Sequence, residues 1–167
     1  MIKKVKLLVV GDGGVGKTTL VKKFIRIRQG ENVAKFANNE VKPTVGLEVE
    51  TVDLEEVRVI IWDFSGQQRF KETFPDRLLR GAKVAIVVFD VSRVKTLQSA
   101  GEWAERVKSV NNDIKFVLVG NKIDLGKKVP QEMIDNLVKR LNAAYVETSA
   151  KEGVNVVKPF EEALRWV

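Results

Sequence analysis

Apolar and amphipathic segments alternate along the whole chain. Six short runs are nearly continuous in Val, Ile and Leu, which is typical of strands buried on both faces of a sheet. They span residues 5–10, 47–53, 57–62, 84–89, 115–120 and 144–147. Segments with helical periodicity lie at 18–28, 68–80, 96–110, 131–141 and 156–167. This alternation predicts an α/β fold, a doubly wound and mainly parallel sheet with helices on both faces.

The connections refine this prediction. Only residues 54–56 separate the second and third strands, and so short a connection makes an antiparallel hairpin. One of the six strands should therefore oppose the rest. No repeat or flexible linker divides the 167 residues, so we expect one domain over 1–167. Residues 29–43 lack periodicity, and an irregular segment of that length usually has a function.

A glycine-rich loop follows the first strand directly. Residues 11–18 read GDGGVGKT, the form GxxxxGK[ST], and they open into a predicted helix. Backbone N–H groups in such a loop, with the positive end of the helix, form a cradle for phosphate oxygens. Lys17 adds a charge for the β- and γ-phosphates, and the Thr18 hydroxyl can ligate Mg²⁺. The predicted nucleoside phosphate site comprises Gly11, Asp12, Gly13, Gly14, Val15, Gly16, Lys17, Thr18 and Thr19.

Three further segments follow predicted strands: 63–66 (DFSG), 121–124 (NKID) and 149–151 (SAK). Because ligands of open α/β sheets bind outside the carboxyl ends of the strands, all four segments can meet in one crevice. Asp63 can fix a water on Mg²⁺, which retains part of its hydration shell in proteins. Gly66 can bring a backbone N–H close to the γ-phosphate.

The NKID and SAK segments predict guanine as the base. The Asp124 carboxylate can accept two hydrogen bonds, from N1–H and the exocyclic amine of guanine, whereas adenine offers no such donor pair. Asn121 can hold the base edge, and the stem of Lys122 can cover the ring face. The Ala150 N–H can donate to the guanine O6, with Ser149 and Lys151 beside it. The alternative for Asp124 is an ordinary turn or cap aspartate.

With these motifs in this order, the chain resembles the small GTPases of the Ras superfamily over nearly its whole length, most closely the Rab and Ras branches. Residues 62–70 (WDFSGQQRF) resemble the Rab pattern WDTAGQERF, and 42–46 (KPTVG) resemble the end of switch I. The resemblance implies the P-loop NTPase fold of a G domain, with GTP or GDP and Mg²⁺ as ligands. It implies that Thr44 ligates Mg²⁺ over the γ-phosphate and that Gln67 orients the attacking water, with Lys17 and Gly66 completing the catalytic set. Phe36 either stacks on guanine or anchors its loop.

The resemblance further implies a switch that slowly hydrolyses GTP. Its two loops, about 29–46 and 64–80, would order and disorder with the γ-phosphate and contact effectors, GTPase-activating proteins and exchange factors. Phe64, Ser65 and Gln68 depart from the Rab pattern, and we expect them to alter partner choice more than chemistry. Two rival functions are a nucleotide-dependent scaffold without hydrolysis and a small-molecule kinase, although no Arg-rich lid is evident for the latter.

Composition limits the remaining choices. The net charge is +7, but the basic residues are spread along the chain without interleaved aromatics, so we expect no specific nucleic-acid partner. The chain has no cysteine or histidine, and no signal peptide or membrane span is evident. We therefore expect a cytoplasmic monomer without a lipid anchor. The chain ends inside a predicted helix, where anchored relatives carry a cysteine tail, so the native protein is either unlipidated or was trimmed.

Trp103 and Trp166 are predicted to lie in the core.

Overall fold

A computed structural model describes residues 2–29, 46–64, 66 and 74–167. Its six-stranded sheet has the order β2-β3-β1-β4-β5-β6. The strands are β1 (Lys3–Gly11), β2 (Leu47–Leu54), β3 (Val57–Phe64), β4 (Val84–Asp90), β5 (Lys115–Asn121) and β6 (Ala144–Glu147). Strand β2 runs antiparallel to β3, and the other neighbouring pairs are parallel. The predicted sheet is confirmed.

Helices cover both faces of the sheet. They are α1 (Lys17–Gln29), α2 (Asp76–Leu79), α3 (Val94–Val110), α4 (Gln131–Leu141) and α5 (Lys158–Leu164), with a 3₁₀ turn at Ile123–Leu125. Alternate residues of β1 enter opposite halves of the core: Leu7 packs with α1 and α5, and Leu8 with α3 and α4. On the first face, the rings of Phe24 and Phe160 stack with centroids 3.9 Å apart. This arrangement of layers agrees with the hydrophobic pattern.

Two predicted helices differ from the structure. Within the described residues, the segment 68–80 is helical only at Asp76–Leu79, and 67–73 lie outside those residues. The last helix is shorter than 156–167, since it begins at Lys158 with Pro159 in its first turn, where the missing N–H removes no helix hydrogen bond. Trp166 therefore lies beyond the helix and is 53% exposed, so its assignment to the core was wrong. Trp103 is buried as predicted.

Phe64 is part of the core rather than of a surface loop. Its side chain is fully buried, and its ring meets that of Phe74 edge to face, with centroids 4.8 Å apart. Phe74 in turn lies 6.5 Å from the ring of Trp103 on α3. The departure from the Rab pattern at this position is therefore a packing change. None of the helices in the described part of the chain is long and apolar enough to span a bilayer.

Candidate nucleotide site

The parallel strands bring the predicted segments to one edge of the sheet. Asp63 pairs in register with Val9 just before the glycine loop, and Asn121 pairs with Asp90 at the ends of β5 and β4. Hydrogen bonds then join the segments: Gly13 N–H donates to the Gly66 carbonyl at 3.0 Å, and the Asn121 amide donates to the Val15 carbonyl at 2.8 Å. The four motifs thus form one continuous site.

The glycine loop, residues 11–16, presents an open face to solvent. Gly13 and Gly14 are exposed, whereas Val15 is buried and anchors the loop. Helix α1 begins at Lys17, and its first turn has N–H groups with no acceptor inside the helix. Gly16 has φ +98°, and a Cβ there would lie 2.3 Å from the Asn121 amide nitrogen, so only glycine fits. The result is a cradle of amides that a phosphate can enter.

Lys17 is a buried cation at the centre of this cradle. Only 6% of the residue is exposed, and its ammonium donates to the Asp12 carbonyl at 2.6 Å. Burial lowers its pKa to about 8, although Asp63 and Asp12 oppose the shift. A desolvated ammonium is stabilised by any anion that approaches it, so the position suits a phosphate.

Thr18 and Asp63 meet beside Lys17. The Thr18 hydroxyl donates to a carboxylate oxygen of Asp63 at 2.7 Å. Burial raises the pKa of Asp63 to about 6, more than the Thr18 hydrogen bond and the Lys17 charge lower it. The Thr18 hydroxyl oxygen and a poorly solvated carboxylate oxygen of Asp63 are suitable ligands for Mg²⁺. When bound, this ion would neutralise phosphate charge. The described residues contain no cluster of three acidic, histidine or cysteine ligands, so nucleotide and water oxygens would complete the coordination.

Gly66 lies against the glycine loop. A Cβ on Gly66 would come within 2.0 Å of the Asp12 carbonyl carbon, so the close approach requires glycine. Its carbonyl accepts the Gly13 N–H, and this bond leaves the Gly66 N–H uninvolved, so the predicted contact of that N–H with the γ-phosphate stays a prediction. A Cβ on Gly13 would lie 3.9 Å from Gly66, an ordinary contact.

Asp124 stands at the other end of the site. It lies in the 3₁₀ turn after Lys122, whose φ of +67° turns the chain outward, and it is exposed. The buried Ser149 hydroxyl donates to one carboxylate oxygen at 2.6 Å. That bond orients the carboxylate and leaves the second oxygen available to a base amine.

Asn121 has a structural role that the sequence did not indicate. It is 1% exposed, its amide nitrogen donates to Val15, and its oxygen accepts from the Thr148 hydroxyl at 2.8 Å and the Ala150 N–H at 3.0 Å. The Asn121 amide keeps a second N–H, and the Ala150 N–H donates to the Asn121 oxygen, so the predictions that Asn121 holds the base edge and that Ala150 donates to guanine O6 stay predictions. In this structure Asn121 fastens the loop after β6 to the glycine loop.

The sequence analysis missed two site residues, Asp90 and Arg93. The buried Asp90 ends β4 and accepts from the Ser92 hydroxyl at 2.6 Å and from Arg93 Nε at 3.0 Å. Burial alone would raise the Asp90 pKa, but these hydrogen bonds outweigh it and hold the pKa below its usual value. The only signal was the position of Asp90 at the carboxyl end of a strand, shared with Asp63 and Asn121.

Comparison with known proteins identifies the class. Residues 6–167 match the model of the Ras family. The chain is also 34% identical to the Ras-related protein Rab-13 of cattle (Bos taurus) over 167 residues, which cover 96% of this chain and 78% of the relative. The chain belongs to the Ras family. It is a small GTPase of the Rab- and Ras-like kind, a switch that binds GTP and GDP with Mg²⁺ and hydrolyses GTP.

The other predicted site residues of this GTPase, among those that the structure describes, make none of the side-chain contacts given above. Thr19 is exposed on the first turn of α1, and Lys151 is exposed while its carbonyl accepts from Lys23 at 2.6 Å. Thr44, Gln67 and Phe36 lie outside the described residues, so their roles stay predictions.

Proposed function

We propose that this GTPase reads guanine through Asp124 and holds the phosphates with the glycine loop, Lys17 and Thr18. The observation that carries the proposal is a direct link between its two halves. The Lys122 ammonium donates to the Gly14 carbonyl at 2.5 Å, and the Asn121 amide donates to the Val15 carbonyl. The NKID segment, which is proposed to bind the base, and the glycine loop, which is proposed to bind the phosphates, are thus held at a fixed distance. A fixed distance suits a ligand such as a nucleotide, whose base and phosphates are a fixed length apart.

Hydrolysis in this proposal depends on position and charge rather than on a covalent nucleophile. Lys17 and the loop amides stabilise charge that develops on the phosphate oxygens, and Gln67 orients the attacking water. Thr18, Asp63 and Thr44 hold Mg²⁺. Intrinsic turnover should be slow, on the order of 10⁻⁴ s⁻¹ as in Ras without an activator.

The proposal includes a partner surface. Residues 29–46 and 64–80 form the nucleotide-sensitive surface for effectors, GTPase-activating proteins and exchange factors. The protein acts as a cytoplasmic monomer with one G domain over 1–167. Pull-downs with GTP-analogue-loaded and GDP-loaded protein test this part, and identical sets of captured proteins would refute it.

Calorimetric titration tests the nucleotide assignment. Wild-type protein should bind GDP far more tightly than ADP, because ADP leaves the Asp124 carboxylate unpaired. Asp124→Ala should weaken GDP binding by at least about a hundredfold, corresponding to roughly 2.7 kcal/mol for a charge-assisted pair. Asp113→Ala removes an exposed carboxylate outside the site and serves as the control. Equal binding of the two nucleotides by the wild type would overturn the assignment.

A further inference from the structure

A cationic cluster lies against the glycine loop at Gly14. It consists of Asp90, Arg93 and Lys122. Arg93 Nε donates to an Asp90 carboxylate oxygen at 3.0 Å, and the Lys122 ammonium lies 3.8 Å from the same oxygen. Two cations therefore share one carboxylate, and the cluster keeps a net positive charge.

The Arg93 guanidinium is aimed at the loop. A Cβ placed on Gly14 would lie 3.5 Å from Arg93 Nη2. Nε is held by Asp90, whereas Nη2 has no hydrogen-bond partner among the residues that the structure describes. The planar fork of arginine can satisfy one anion through Nε and present its terminal nitrogens to another. Asp90 is thus the first anion, and Nη2 is placed where it can bind a second.

The position along the site indicates what that second anion is. Asp124 and Lys17 mark the base and phosphate ends, and Lys122 joins them by its hydrogen bond to Gly14. A nucleotide that spans both ends passes Gly14, and the section between base and terminal phosphate carries the inner phosphate groups. The half-exposed Arg93 stands beside Gly14, at that point of the site.

We propose that Arg93 is a phosphate-binding residue, which Asp90 orients so that its guanidinium retains the inner phosphates of bound GDP and GTP. This inference rests on the proposed function, since it places the nucleotide in the same site. Lys17 holds the phosphates at the start of α1 and Arg93 holds them beside Gly14. Because Lys17 and Arg93 lie at separate positions, we expect Arg93 to control the rate of nucleotide release. The choice of base depends on Asp124 and not on Arg93.

The test compares release of radiolabelled GDP from wild type, Arg93→Gln and Arg26→Gln by filter binding. Arg26 is exposed on α1, so its variant has the same change in net charge away from the site. Arg93→Gln should release GDP about three- to tenfold faster than wild type, the range for a half-exposed charged contact. Arg26→Gln should stay within about twofold, because distant surface charges are largely screened.

Two further readouts separate phosphate binding from a structural role. If the guanidinium acts on phosphate charge, the difference between wild type and Arg93→Gln should shrink as NaCl rises from about 0.05 M to about 0.5 M. The melting temperature of the nucleotide-free protein should fall only slightly in Arg93→Gln, because Asp90 keeps its hydrogen bonds from Ser92 and Arg93 is half exposed. Equal release rates for the two variants, or a salt-independent increase in release together with a large fall in melting temperature, would overturn the proposal for Arg93. A wild type that fails to retain GDP would overturn the proposed function as well.

Discussion

Replacement of Asn121 by alanine distinguishes a fastening role from direct contact with the base. The wild-type side chain makes three hydrogen bonds, to the Val15 carbonyl, the Thr148 hydroxyl and the Ala150 N–H, and it is almost fully buried. Truncation removes all three bonds and leaves their partners in a site from which water is largely excluded.

The size of the effect follows from this count. Each neutral hydrogen bond contributes about 1 kcal/mol net, and a buried group left without a partner costs about 1–3 kcal/mol. Asn121→Ala should therefore lower the free energy of unfolding by roughly 3 kcal/mol even without nucleotide. For a domain of this size, that loss corresponds to a fall in melting temperature of about 6–12 °C.

Scanning fluorimetry of nucleotide-free protein, with and without added GDP, measures both effects. Asn136→Ala is the control, because this asparagine is exposed on α4 and alanine is the better helix former. Its melting temperature should stay the same or rise slightly. If Asn121→Ala melts like the wild type without nucleotide yet loses GDP binding, the fastening role is wrong and Asn121 acts on the base itself.

Three other changes have defined outcomes. Phe64→Ala empties a fully buried site and should cost about 3–5 kcal/mol, measured by urea unfolding; a loss below about 1 kcal/mol would contradict the packing described here. The Asp90 pKa is depressed in the folded protein, so the unfolded chain takes up this proton first as the pH falls below about 4, and stability decreases there. Asp90→Asn should flatten that decrease below about pH 4, and an unchanged profile would exclude Asp90 as a contributor. If bound Mg²⁺ helps to retain GDP, Thr18→Ala should reduce the effect of EDTA on GDP release, because the ion loses one of its protein oxygen ligands; an unchanged EDTA effect would place the metal elsewhere.

Local patterns in the sequence predicted most of the fold. The limits of β6 and α4 match the predicted segments 144–147 and 131–141, because buried runs and helical periodicity depend on near neighbours. The order of the four motifs at strand ends predicted that they meet at one edge. The error at Trp166 arose because helical periodicity continued past Leu164, where the helix ends.

Side-chain partners were less predictable, because they depend on contacts between distant parts of the chain. Asn121 and Val15 are 106 residues apart, and nothing near either residue indicates their bond. The pairing of Arg93 with Asp90 spans three residues, but its direction toward Gly14 depends on the neighbouring positions of β1 and β4 in the sheet. Sequence motifs therefore identified the chemistry of the site, and the tertiary structure was needed to see how its parts are held.

The ring contact between Phe64 and Phe74 joins the two ends of the stretch 65–73. Phe64 is anchored in β3, and the Phe74 carbonyl accepts from Arg106 of α3 at 2.9 Å, so each end is attached to a different rigid element. Phe64 lies two residues before Gly66, so the aromatic pair connects the phosphate end of the site to α3 through Phe74. The pair is thus one path by which a change at the phosphate end can reach a helix that packs on the sheet.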